Sequence, residues 1–161
     1  MTTTLEHWAA GAGAGLSWTS CIGANDLNSI SNANSVLASS SVITNGTALD
    51  VFCDVSVLLG SCTTTGVPFI GVYMYPLNED GSTYGDNQFT AGTGSAAVPG
   101  SQYFKGAIAY PVVTTTALYG NITGLVMPPG SFLFLFQNNL GVTTASSGNV
   151  AKYRTYCLGL G

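Results

Sequence analysis

Charge is what this chain lacks most. Only 6% of its 161 residues are charged, against roughly a quarter in an ordinary soluble domain. Three Lys and Arg face seven Asp and Glu, for a net charge of -4. Clustered cations are needed to neutralise phosphate, so binding to nucleic acid through a basic patch is excluded. Docking on a membrane surface through a basic helix is excluded for the same reason. Histidine is nearly absent: His7 stands alone. It lies in a stretch with no evident neighbours to hold a general base in place. No Cys-x-x-Cys occurs, so the zinc patterns are missing. No apolar run approaches the ~20 residues that span a bilayer as a helix. Strong helix formers are scarce, which leaves little from which to build helices. The first residues carry Glu6 and three spaced glycines rather than a basic start and an apolar core. They do not resemble a secretory signal, so synthesis in the cytoplasm is the expectation.

What is present is Thr, Ser, Val and Gly, with eight Tyr and seven Phe. β-branched and aromatic residues suit pleated, half-buried surfaces. The chain has the size of one domain and needs no metal to complete its core. Residues 1–15 read as a flexible arm, either a frayed terminus or an extended clamp on a neighbouring subunit with Trp8 as its anchor. Residues 16–161 read as a single domain. Gly11, Gly13 and Gly15 follow no strand and do not form a dinucleotide fingerprint.

Period-two alternation is clearest over residues 49–59. There Leu49, Val51, Cys53, Val55, Val57 and Leu59 share one face. Asp50 and Asp54 fall on the other, as solvated acids about 13 Å apart at strand rise, too far for a shared acid–base site. A second strand spans 67–77, with Tyr73 and Tyr75 opposed to Ile70, Val72 and Met74. Residues 16–22, 103–109, 112–119, 122–126, 131–137 and 150–157 offer the others. About eight strands separated by turn signals predict an all-β, antiparallel, jelly-roll-like β-sandwich. Cys21, Cys53, Cys62 and Cys157 are expected as thiols, with Cys53 pointing inward. A disulfide is the alternative in an oxidising compartment.

Two strands carry interface candidates. Phe132, Phe134 and Phe136 alternate with Leu133 and Leu135, so residues 132–136 are apolar on both faces. Either a loop or the arm covers the second face, or it is a subunit interface. Lys152 and Arg154 share a face of the last strand with Tyr156. They form either a solvated surface or a contact for an acidic neighbour. The loop from Asp80 to Asp86 reads as a structural turn, since its glycine is misplaced for an EF-hand. Asn45 and Asn121 begin glycosylation sequons that carry meaning only in a secreted protein.

Four motifs occur in order. Val72-Tyr73-Met74-Tyr75-Pro76 precedes Asp80-Gly81-Ser82-Thr83-Tyr84. Met127-Pro128-Pro129-Gly130 leads into Ser131-Phe132-Leu133-Phe134. Asn138-Asn139 is followed by Gly141. Gly148-Asn149 leads to Lys152-Tyr153-Arg154-Thr155-Tyr156. Together these resemble a family of tailed-bacteriophage virion proteins, the capsid decoration or cement proteins. Leu133, Leu135 and Gln137 stand where that family often carries Lys. The resemblance implies a jelly-roll-like protein, commonly a homotrimer, bound across subunits of the major capsid protein on the capsid exterior. It implies no enzymatic activity and no cofactor. A tail-associated virion protein is a close variant. A glycan-binding jelly-roll module is the alternative from another class, with exposed aromatics and Asn-rich loops as its reading surface.

Overall fold

The computed structural model describes residues 6–10, 16–23, 27–32, 36–46, 49–80, 83, 94–95 and 100–160. Among the described residues eleven strands follow in chain order: β1 (Glu6–Ala10), β2 (Thr19–Ser20), β3 (Val36–Ser39), β4 (Ile43–Asn45), β5 (Phe52–Cys62), β6 (Phe69–Pro76), β7 (Gly94–Ser95), β8 (Phe104–Ala109), β9 (Thr116–Val126), β10 (Gly130–Asn139) and β11 (Val150–Leu160). Among the described residues there is no α-helix, only a 3-10 turn at Ser101–Tyr103. Among the described residues no helix is long and apolar enough to cross a membrane.

The strands form two antiparallel sheets. The first has the order β1-β11-β5-β9, with β2 also on β11. The second has the order β7-β3-β10-β6-β8, with β4 also on β10. The steps β4 to β5, β5 to β6, β8 to β9, β9 to β10 and β10 to β11 each cross between sheets. The result is the expected all-β sandwich.

Alternation decides which face each strand turns inward. In β5, Cys53, Val55, Val57 and Leu59 are wholly buried. In β6, Ile70, Val72 and Met74 meet them across the sandwich. In β10, Phe132, Phe134 and Phe136 fill the same core. Phe132 and Phe134 meet edge to face with ring centroids 5.4 Å apart, and Phe134 and Phe136 lie 6.2 Å apart. Burying each such ring contributes about 1.5–3 kcal/mol. The phenylalanine strand is therefore the centre of the core and not a subunit interface. Its other face is covered within the chain: Leu133 and Leu135 pack with Leu37, Tyr73 and Tyr75. Tyr103 stacks on Tyr75 with centroids 4.0 Å apart.

Several expected boundaries move. Leu49 has φ +49°, a conformation that breaks strand geometry for a side chain of its size. Alternation therefore starts only at Phe52, and Leu49 and Val51 are exposed. The pieces expected at 112–119 and 122–126 are one strand, β9. The strand expected at 16–22 is confined to β2. Part of the expected arm is a strand: β1 lies antiparallel on β11, with Trp8 opposite Leu158 and His7 opposite Gly159. The side chain of Trp8 lies outside the described residues.

Candidate functional site

Two surfaces emerge from this frame. One is the outer face of the first sheet. β11 runs beside β5 with Arg154 opposite Asp54, Lys152 opposite Ser56 and Tyr156 opposite Phe52. Asp54, expected in solvent, is only 2% exposed. Its neighbours explain why burial is tolerated. One carboxylate oxygen accepts the Gly124 amide at 3.0 Å and the Tyr156 hydroxyl at 2.9 Å. The other accepts Arg154 Nε at 2.8 Å. Burial pushes the Asp54 carboxyl up, but these hydrogen bonds and the Arg154 charge outweigh it and hold it below its usual range.

Gly124 is placed for this contact. Between the pairs Cys53–Leu125 and Val55–Ile122 the β5–β9 register slips. β9 bulges there, and Gly124 takes φ +70°, which glycine adopts without a Cβ penalty. The freed amide turns to Asp54 instead of the ladder. On its far side Arg154 lies over the Trp18 ring, 4.8 Å from the centroid, a cation–π contact. The chain of support runs from the bulge through Asp54 and Arg154 to an indole that is partly exposed. Shallow grooves flank it: one is lined by Leu16, Thr123 and Tyr156, the other by Tyr119, Ser56 and Lys152. Tyr119 is 76% exposed.

The second surface is one end of the sandwich. Three connections meet there: 63–68 after β5, 110–115 after β8 and 140–149 after β10. Residues 27–32 join them. Buried polar side chains tie the segments together. Asn138 Nδ2 donates to the Ile30 carbonyl at 2.7 Å and the Val142 carbonyl at 2.8 Å. The Thr144 hydroxyl donates to the Leu27 carbonyl at 2.7 Å and accepts the Ile30 amide at 2.8 Å. Asn149 Nδ2 donates to Ala145 O at 2.7 Å, and its Oδ1 accepts the Gly60 amide at 2.9 Å. Thr64 N–H reaches the Val113 carbonyl at 3.0 Å. The Asn138 and Asn149 motif positions thus serve this scaffold. Residues 27–32, 60–68, 110–116 and 140–149 contain no charged residue. Val67 and Val112 project from it, 85% and 62% exposed.

The interface candidates therefore separate. Phe132, Phe134 and Phe136 are core. Lys152, Arg154 and Tyr156 share the outer face, with Lys152 exposed and the other two half-buried. Of the loop from Asp80 to Asp86 only Asp80 and Thr83 lie among the described residues: Thr83 donates its amide and its hydroxyl to the Asp80 carboxylate at 2.9 and 2.6 Å. Among the described residues no group of three or more His, Cys, Asp or Glu gathers as a metal site would need. Neither Val67, Val112 nor the Asp54 cluster was evident from the sequence. The lack of charge in four separated segments was visible, but only the fold brings those segments to one end.

The chain matches no known family model, no curated protein and no solved structure.

Proposed function

We propose that this chain is a structural virion protein that decorates a bacteriophage capsid by binding across subunits of its major capsid protein. The observation that carries this reading is the uncharged end of the sandwich, with Val67 and Val112 projecting from it. A solvated monomer surface normally mixes charges of both signs among its polar residues. Here hydroxyls, amides and two bare valines cover an end that is stiffened from beneath by Asn138, Thr144 and Asn149. Such a surface can pack closely on another neutral surface without desolvating ions. Repetition over a lattice makes each contact count through multivalency. The four ordered motifs add to the reading, and a homotrimer on the capsid exterior belongs to it.

The test is cosedimentation of the purified chain with empty shells of the major capsid protein encoded in the same genome. Saturable binding is expected. It should persist in high salt, because no exposed ion pair supports it. Val67→Asp combined with Val112→Asp should abolish it while leaving the fold intact, since both side chains are exposed. Absence of binding, or binding unaffected by the double substitution, would refute the reading. Light scattering of the free chain should give three times the monomer mass.

A further inference from the structure

A third surface is a sheet edge. The two sheets end on four strands, β1 and β9 in the first and β7 and β8 in the second. An open edge offers amides and carbonyls to any other strand, and proteins blunt it with charge, proline or shortness. Three of the four edges are blunted. β1 contains Glu6 and His7, β7 has two residues, and β8 carries an exposed Lys105. β9 differs. Its 11 residues include no charge and no proline. Among the described residues it pairs with β5 alone.

The middle of this edge is regular. The β5 register slips near each end of β9, but Leu118 to Ile122 stay in step with Leu59 to Val55. Leu118 is buried in the core and Ile122 packs against it. Tyr119 and Asn121 alternate with them and are exposed. β8 comes close without covering the edge. A Cβ on Gly120 would strike Ile108, and one on Gly106 would strike Ile122. Gly120 shares the inward side of β9 with Leu118 and Ile122, so β8 lies beneath β9 across the sandwich rather than beside it.

The strand itself suits one occupant. A two-fold axis through Gly120 lays a second β9 antiparallel on the first. Leu118 then stands opposite the other copy's Ile122, and Tyr119 opposite its Asn121, each pair occurring twice. Like joins like on both faces of the sheet, and neither strand brings a charge into the contact. That side of the sandwich is about 30 Å long and about 20 Å thick. A two-fold contact over it buries about 1,200 Å² in total, above the ~1,000 Å² of a specific interface. Such a contact also closes at two copies and leaves no open β9 behind. We propose that β9 pairs with β9 of a second copy, joining two first sheets into one continuous sheet. The proposal is independent of the capsid reading, since it concerns copies of this chain and a different surface.

The experiment is sedimentation of the full chain between about 5 μM and about 500 μM. The mass should double with concentration, from one copy to two, or from three to six where the trimer also forms. A fixed mass of three copies would leave the trimer standing and overturn this proposal. Tyr119→Lys with Asn121→Lys sets like charges opposite each other across the axis. Both positions are exposed, so the fold should persist while self-association weakens at least tenfold. Tyr119→Asp with Asn121→Asp should do the same, and mixing the two variants should restore the doubling. Hydrogen exchange of residues 116–126 should slow as the mass doubles. Doubling untouched by either variant, or a mixture that stays undoubled, would overturn the proposal. So would protection of β9 that arises only on capsid shells, which would give the edge to a strand of another protein.

Discussion

Removing the Asp54 carboxylate should expose how much of the first sheet depends on one buried acid. In Asp54→Ala the Gly124 amide loses its acceptor within a bulge that offers no ladder partner. An orphaned, partly buried donor costs about 1–3 kcal/mol. The Arg154 pair adds less. Its acid is 4% exposed, but its guanidinium side chain is 33% exposed, and solvent screening reduces it to about 1 kcal/mol. The Tyr156 hydroxyl can turn to water and adds a few tenths. The sum is about 2–4 kcal/mol at neutral pH.

The effect has a pH signature. The folded carboxyl titrates below its unfolded value of about 3.9. Its contribution is therefore fully present above that value and is lost as pH falls through the folded one. Urea denaturation of wild type and Asp54→Ala should show a gap at pH 7 that narrows in acid. Asp54→Asn, which can still accept from Gly124, should lie between them. In a Trp8→Phe background, Trp18 emission should shift to the red in Asp54→Ala before unfolding begins, because Arg154 no longer holds the ring. A gap below about 1 kcal/mol, or one that does not change between neutral and acid pH, would refute this account of the cluster.

Other outcomes follow from the core. Phe134→Ala should cost about 3–5 kcal/mol in urea denaturation, because its ring is wholly buried between two other phenylalanines; a loss below 1 kcal/mol would place it at a surface after all. Burial pushes the thiols of Cys21 and Cys53 up to about 12. At pH 8 a thiol reagent should modify half-buried Cys157 first, with Cys21 and Cys53 reacting only after denaturant is added, as mass spectrometry of the labelled peptides can show.

The sandwich was legible because alternation in β5, β6 and β10 is strong and local. Cys53, Val55 and Val57 needed only their neighbours in sequence to be placed. The phenylalanines were legible as a face but not as to which side they serve. A strand apolar on both faces reads alike whether its second cover is another subunit or Leu37, Tyr73 and Tyr75 of the same chain. Leu49 and Val51 continued the alternation in sequence, and only the backbone twist at Leu49 takes them out of it. Asp54 was misread for a different reason. The groups that make its burial tolerable lie 70, 100 and 102 residues away, and no local pattern announces them. The face shared by Lys152, Arg154 and Tyr156 was readable; the acid that orders it was not.

The bonds that bind the uncharged end also set when it can exist. Those from residues 27–30 to Asn138, Thr144 and Asn149 span 108 to 121 residues. Contacts this distant in sequence close slowly, because the chain between them must be ordered first. The end is therefore among the last parts to form, and it cannot form before residue 149 has been synthesised. A truncated or half-folded chain has Val67 and Val112 but not the scaffold that presents them. If that end docks as proposed, competence to dock is tied to completion of the fold, and defective copies do not compete for a partner.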